Sequence, residues 1–123
     1  MAADEIVPPY ECGLDAAVDV IGGKWKVSIL WALSEKTRRP GELRRGVKGI
    51  SEKMLIQQLR QMEADGLVMR TAYPEIPPRV EYALTPLGES LNRALIPLGD
   101  WGDEHMDAIA GGRRERQAAA AHL

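Results

Sequence analysis

The stretch that decides the fold reads GELRRGVKGISEKMLIQQLRQMEADG and covers residues 41–66. A short helix is expected over about Gly41–Gly46, and it is too short to be stable without tertiary packing. A longer helix is expected over Glu52–Asp65, with Ser51 as its N-cap, because a serine hydroxyl can accept a free backbone N–H of the first turn. Gly66 then ends this helix, since glycine readily adopts the left-handed conformation that closes a helix.

The longer of these helices has one apolar face and one polar face. Leu55, Leu59 and Met62 recur at the helical period and are expected to point into the core. The opposite face is rich in amides and cations, which can read base edges in the major groove of DNA. Further cations lie just before the helix, where they suit phosphate contacts. The candidate DNA contacts are Arg44, Arg45, Lys48, Ser51, Lys53, Gln57, Gln58 and Arg60, with half burial as the alternative for Gln58.

Two helices are predicted before this stretch, and two strands after it. The helices cover Cys12–Ile21 and about Lys24–Ser34, each with apolar residues at helical spacing, and in the second helix Trp25 belongs to the predicted buried stripe. The period then changes to two, which predicts strands over Leu67–Tyr73 and Arg79–Leu84. The intervening PEIPP is too rich in proline to pair, so the strands are expected to form a hairpin with a stiff tip.

A last helix is predicted to begin at Thr85, because Pro86 suits the first helical position. Pro97 is expected to kink or split it, and the tail beyond Gly112 is expected to fray because it has no apolar stripe. This order of elements predicts an α+β, mainly α, fold: a winged helix-turn-helix with an added C-terminal helix. The predicted division is an N-terminal lead at 1–11, a winged-helix domain at 12–110 and a frayed tail at 111–123.

Charge is distributed unevenly along the chain. The formal net charge of −2 argues weakly against a nucleic-acid partner. Residues 35–79 nevertheless hold ten Lys or Arg against six Asp or Glu, so the middle is basic and the flanks together are acidic. A basic middle agrees with DNA binding, although such a run is more often only a solvated face.

Composition and size limit the other functions. The chain of 123 residues, 45% apolar, fits one globular core. It has no run of 18 apolar residues, and its acidic start is unlike a secretory signal, so we expect a cytoplasmic protein without membrane contact. Neither His105 nor His122 belongs to a set of residues with metal-ligand spacing, and neither lies near Cys12 in sequence, so we expect no metal, no cofactor and no thiol enzyme.

Four segments together resemble the HxlR family of bacterial regulators, which are relatives of the MarR group. They are CGLDAAVDVIGGKWKVSILWAL, GELRRGVKGISEKMLIQQLRQMEADGLVMR, YPEIPPRVEYALTPLG and LGDWG, and they span Cys12 to roughly Gly102. GGKWK, GIS-(x)₂-ML-(x)-QQLR and PPRVEY-(x)-LT-(x)-LG in this order form a specific signature. The resemblance implies a DNA-binding transcription regulator, and repression is the expected outcome.

The resemblance also implies an assembly. Family members are expected to be winged-helix homodimers, joined through their first and last helices, that recognise inverted-repeat operators in double-stranded DNA. On this chain the recognition helix would be Ser51–Asp65 and the wing tip Pro74–Arg79. The dimer contacts inferred on this basis are Leu14, Leu91, Leu95, Leu98 and Trp101.

Some family members look like sensors of electrophiles, oxidants or aldehydes that act through a cysteine near the N-terminus. Cys12, the single cysteine, occupies that place. A helix start stabilises a thiolate, whereas Glu11 and Asp15 favour the protonated thiol. Oxidation could give only an intersubunit or mixed disulfide, an adduct or an oxyacid. The alternative is a small buried residue at the dimer contact.

Three further alternatives stay open. Arg79 could enter the minor groove from the wing, or it could pair with Glu75 or Glu81 across the hairpin. The three tryptophans could line an effector pocket, although their helical spacing favours packing in the core or the dimer contact. A winged helix can also serve as a protein-interaction module without sequence-specific DNA binding, and an apolar patch on its outer face would indicate that role.

Overall fold

The structure is a computed structural model that describes residues 10–121. The described elements are α1 (Gly13–Ile21), α2 (Lys24–Glu35), α3 (Pro40–Gly46), α4 (Glu52–Ala64), β1 (Val68–Tyr73), β2 (Arg79–Leu84), α5 (Pro86–Glu104) and α6 (Met106–Ala121). The chain divides into two compact units, one ending at Glu89 and the other beginning at Ser90, so the boundary falls within α5. Most of the predicted lead and the last two residues of the predicted tail lie outside the described residues. No helix among residues 10–121 combines the length and the apolar character that crossing a bilayer needs.

The core of the first unit lies between three helices and the hairpin. Its buried apolar side chains are Ile29, Leu30, Leu33, Leu43, Val47, Ile50, Leu55, Leu59, Met62, Leu67, Val68 and Tyr82. The predicted inward face of α4 is thereby confirmed. Trp25, which was expected in the buried stripe of α2, is only half buried, and Lys26 is buried instead. The face of α2 that turns inward follows the spacing 26, 29, 30 and 33, so residue 25 lies at its edge.

The hairpin is antiparallel, with a register that runs from Val68 opposite Leu84 to Tyr73 opposite Arg79. Its connection contains a cis peptide bond between Ile76 and Pro77. Two helices of a helix-turn-helix followed by this hairpin make a winged helix-turn-helix, as the sequence predicted.

A contact that the sequence did not predict joins the wing to the helices. The backbone N–H of Arg38 donates to the carbonyl of Tyr82 at 2.9 Å, and the N–H of Tyr82 donates back at 2.8 Å. The side-chain Nε of Arg38 also donates to the carbonyl of Ala32 at 3.0 Å. The loop between α2 and α3 is therefore bonded to β2 like a short third strand.

A second junction connects α4, β1 and the start of α5. The N–H of Leu67 donates to the carbonyl of Met62 at 2.9 Å, which closes α4. The hydroxyl of Thr85 donates to the carbonyl of Gly66 at 2.5 Å and accepts the N–H of Gly88 at 3.0 Å, so the predicted helix start is confirmed. A Cβ on Gly88 would lie 2.1 Å from the carbonyl oxygen of Leu67, so this position requires glycine.

The second unit is helical. Pro97 does not split the helix, because α5 continues through it, and the break between α5 and α6 falls at His105. Pro97 and the residue whose carbonyl it leaves unbonded, Arg93, are exposed, so solvent can reach that carbonyl. The tail expected to fray is helical to Ala121. The physical reason is propensity: Ala, Arg, Glu and Gln are strong helix formers even without an apolar stripe.

Candidate nucleic-acid interface

The first helix of the helix-turn-helix, α3, has a well-defined start. Pro40 occupies its first turn, where a missing N–H costs nothing. The carboxylate of Glu42 accepts the backbone N–H of Arg39 at 3.2 Å. This hydrogen bond, together with the charges of Lys36, Arg38 and Arg39, lowers the pKa of Glu42 below its ordinary value of 4.5. The carboxylate therefore stays ionised and keeps α3 capped at neutral pH.

The turn between α3 and α4 is fixed from inside. The N–H of Val47 donates to the carbonyl of Leu43 at 2.9 Å, and both side chains are buried together with Ile50. Gly49 has a φ of 86°, a conformation that side chains disfavour, and the ring of Trp25 lies 3.9 Å from the place of its missing Cβ. The turn thus sets the direction in which α4 leaves the core.

The start of α4 agrees with the sequence. The hydroxyl oxygen of Ser51 accepts the backbone N–H of Met54 at 3.1 Å, which confirms the predicted N-cap. Gln58 is half buried, and its amide nitrogen lies 3.5 Å from the sulfur of Met54. Two of the candidate DNA contacts, Ser51 and Gln58, are therefore partly engaged within α4 itself.

The outer face of α4 lines an open depression on the protein surface. Its lining residues are Glu52, Lys53, Ile56, Gln57, Arg60 and Gln61. Ile56 is half buried and the other five are exposed. Cations and amides can hydrogen-bond to base edges, and an aliphatic side chain can contact the methyl group of thymine. This face has the chemistry that direct readout in the major groove needs.

The cations before α4 are also exposed. Arg44 lies 3.8 Å from the carboxylate of Glu52, but both side chains are largely solvated, so the pair contributes little and leaves Arg44 available. Arg45 and Lys48 are exposed on the same stretch. Residues 44–61 hold five cations and one carboxylate, so this segment is strongly basic.

The wing tip is occupied by a cluster around Arg79. Its guanidinium lies 3.2 Å from Glu75, 3.7 Å from Glu81 and 4.0 Å from the ring centre of Tyr73. Its Nε is buried and has no hydrogen-bond partner among residues 10–121. Of the two alternatives for Arg79, pairing with carboxylates is the one that the structure shows: Glu75 lies in the connecting loop and Glu81 on the same strand as Arg79.

Cys12 is exposed and is the N-cap residue of α1, with no cap hydrogen bond from its side chain. In the single chain it is therefore accessible to reagents. Leu14, on the same helix, is 75% exposed. Residues 10–121 contain no group of three or more His, Cys, Asp or Glu that could hold a metal ion.

The predicted dimer contacts of the second unit fall into two classes. Leu98 and Trp101 are 56% and 54% exposed. Leu91 and Leu95 are half buried.

Sequence reasoning missed two residues of this surface. Ile76 at the wing tip is 102% exposed. The sequence could have predicted this exposure, because an apolar residue between prolines in a turn has no core to enter. Glu52 was not among the predicted surface residues, because its proximity to Arg44 depends on the turn geometry. Gln61 also lines the depression, and it lies on the amide-rich face that the sequence predicted.

The chain is similar to known regulators over most of its length. The family model described as HxlR-like helix-turn-helix matches residues 20–110. YkvN of Bacillus subtilis strain 168, an uncharacterized HTH-type transcriptional regulator, is 48% identical over 93 residues, which cover 76% of this chain and 79% of YkvN.

Solved structures show the same similarity. A transcriptional regulator of the MarR family from Enterococcus faecalis V583 is 41% identical with a TM-score of 0.72, over 87% of this chain and 97% of that one. The redox regulator HypR in its reduced form is 37% identical with a TM-score of 0.77, over 81% of this chain and 99% of that one. HypR in its oxidised form is 40% identical with a TM-score of 0.70, over 76% and 96%. From the family match and these identities, the chain belongs to the HxlR-like helix-turn-helix family.

Proposed function

We propose that this helix-turn-helix transcriptional regulator binds an inverted-repeat operator as a homodimer and represses the adjoining promoter. The observation that carries the proposal is the two-sided character of α4. Its apolar side is buried, while Lys53, Gln57 and Arg60 are exposed on the outside. A helix whose apolar face packs on the core and whose exposed face carries cations and amides suits the major groove. Arg44 and Arg45 would then contact phosphates beside it. Because such a protein acts on chromosomal DNA, we infer that it works in the cytoplasm of a bacterial cell.

Exposed apolar side chains support the homodimer. The helix α1 has no buried residue, and both Leu14 and Val18 are exposed on it. The second unit, taken by itself, exposes Leu98, Trp101 and Ile109. Clusters of large exposed apolar side chains on a helix mark an interaction surface, and a second copy is the occupant that the family resemblance implies.

We extend the proposal to Cys12 as a site for electrophiles or oxidants. Its thiol is exposed, and the similar protein HypR is a redox regulator with solved reduced and oxidised forms. In the simplest reaction the thiol adds across the activated C=C bond of an electrophile. The sulfur bonds to one carbon, the π bond breaks, and the other carbon takes up a proton in place of the one that the thiol released. An adduct beside Leu14 would change the surface at which the two subunits meet.

A protein-interaction module is less well supported. The outer face of α4 carries cations and amides, with only Ile56 as a half-buried apolar side chain. A protein-binding face would be expected to expose a larger apolar patch.

Selection of genomic fragments tests the proposal. The wild-type protein is incubated with fragments of the genome that encodes it, and bound fragments are sequenced, with and without a thiol-reactive compound. We expect an enriched inverted repeat, and we expect the compound to reduce recovery for wild type but not for Cys12→Ser. Recovery without an enriched motif would refute the operator. An equal effect of the compound on both proteins would refute the role of Cys12.

A further inference from the structure

The wing tip presents one fully exposed aliphatic side chain, that of Ile76. We propose that Ile76 contacts the sugar edges of the DNA minor groove, and that Arg79 is a positioning residue that holds this tip in shape without contacting DNA. The inference rests on the proposed DNA binding and assigns to the wing a contact different from that of α4.

The wing tip carries a net negative charge. The cation of Arg79 is engaged by the carboxylates of Glu75 and Glu81 at 3.2 and 3.7 Å, so the three side chains together carry a net charge of −1. Its guanidinium is also stacked on Tyr73, its partner in the strand register. A tip with this charge gains nothing from approaching phosphates, in contrast to the basic segment before α4.

The loop that connects the two strands has few free backbone N–H donors. Three of the five connecting residues, 74–78, are prolines, which have no N–H. The N–H of Glu75 is already used, since it donates to the carbonyl of Tyr73 at 2.8 Å. Only Ile76 keeps an N–H for another partner, so the loop cannot cradle a phosphate as glycine-rich loops do.

Ile76 is fully exposed to solvent. Its side chain is 102% exposed in the middle of the five-residue connection between the strands, and the φ angles of Pro74, Pro77 and Pro78 in that connection are restricted. The walls of the minor groove are lined by sugar C–H groups, and proteins that use this groove often place aliphatic side chains in it. A fully solvated isoleucine gains free energy by leaving water for such a surface.

Backbone hydrogen bonds attach the base of the wing to the helices. The N–H of Leu67 is bonded to the carbonyl of Met62 in the last turn of α4, and Arg38 is bonded to Tyr82 in β2. When α4 lies in the major groove, these bonds fix the base of the wing beside it, and the tip extends toward the flanking minor groove.

The experiment is a hydroxyl-radical footprint combined with binding titrations. The probe is a duplex recovered with the wild-type protein from the genomic selection. Hydroxyl radicals abstract sugar hydrogens, so wild type should protect sugars in the flanking minor groove as well as those beside the major-groove site. Ile76→Ala should lose the flanking protection and bind about three- to tenfold more weakly. Its dependence on salt should equal that of wild type, because no counterion release is lost.

Two variants complete the test. Glu75→Gln combined with Arg79→Gln breaks the cluster and leaves the net charge unchanged, so it should lose the flanking protection without a shallower salt dependence. Met69→Ala is the matched control, because Met69 is an exposed apolar residue at the base of the same hairpin and should keep that protection. Circular dichroism melting of each variant checks that the chain remains folded.

The outcomes separate this inference from the proposed function. Flanking protection that persists in Ile76→Ala would overturn the contact. A shallower salt dependence in the charge-balanced variant would show that Arg79 itself meets phosphates and would overturn its positioning role. If wild type gives no footprint on any recovered duplex, the proposed operator binding fails, and the wing contact fails with it.

Discussion

Lys53 and Gln57 project from the outer face of α4, whereas Arg44 and Arg45 lie on α3 ahead of it. In the proposed complex the first two would reach base edges, where the pattern of donors and acceptors differs between base pairs. The other two would meet the uniform phosphate backbone. The two pairs should therefore differ in whether their removal changes specificity or only affinity.

Lys53→Ala or Gln57→Ala should relax the preference for operator over unrelated DNA, at a cost of about 1–3 kcal/mol per lost base contact. Arg44→Ala or Arg45→Ala should weaken binding to both duplexes alike and reduce the salt slope by about one. Titrations of an operator and a shuffled duplex at several salt concentrations measure both effects. Equal losses on the two duplexes for all four variants would contradict the assignment of α4 as the reading helix.

Residue partners at the wing tip could not be predicted from sequence alone. The spacing allowed Arg79 to meet either Glu75 or Glu81, and the structure places it between both because the register sets it opposite Tyr73. A register fixes which side chains share a face, and a sequence pattern alone does not fix a register. By contrast, Ser51 was identified correctly because an N-cap depends only on its own turn.

At the scale of elements, the order of helices and strands was predictable, and most boundaries fell within one residue. The polarity pattern of α4 and the change of period at β1 are local features of the sequence, so both elements can be predicted without knowledge of tertiary contacts. Two features required more than pattern. The bridge from Arg38 to Tyr82 is a long-range pairing, and α6 is sustained by helix propensity rather than by an apolar face.

The junction of β1 with α5 can be tested with two glycines of the same helix. Gly88→Ala should lower the free energy of unfolding by about 2 kcal/mol or more, because its Cβ would lie 2.1 Å from the carbonyl oxygen of Leu67. Gly99→Ala should instead raise it by about 0.5–1 kcal/mol, since nothing lies within 4 Å of that Cβ and alanine is the better helix former. Urea denaturation of both variants at one protein concentration provides the comparison. Equal effects of the two substitutions would show that Gly88 is not held against Leu67.

At the scale of the whole molecule, each unit exposes apolar side chains that its own core does not use. In the first unit they include Leu14 and Val18 on α1, Trp31 on α2, and Met69 and Ile76 in the hairpin. In the second unit they include Leu98 and Trp101 on α5 and Ile109 on α6. The sequence indicated these surfaces, because the last helix carries more leucine and tryptophan than one thin core layer needs.

Leu14→Asp and Leu98→Asp should each convert the proposed dimer to monomers without unfolding the chain, because both side chains are mostly exposed in the single chain. A monomer presents one α4 instead of two, so the salt slope for operator binding should fall by about half. Sedimentation equilibrium and salt-dependent titrations measure the two effects. Ala118→Asp, on an exposed turn of α6, is the control and should remain dimeric. Unchanged sedimentation of both leucine variants would remove these surfaces from the interface.

The lack of any buried residue in α1 has a consequence for how much of the regulator a cell can hold. A helix without a core of its own opens readily, and opened segments are the ones that proteases cut. If association covers α1, newly made chains are vulnerable until they meet a copy, whereas paired chains are protected by mass action. The lifetime of the protein would then depend on its abundance, and scarce chains would be cleared faster than plentiful ones.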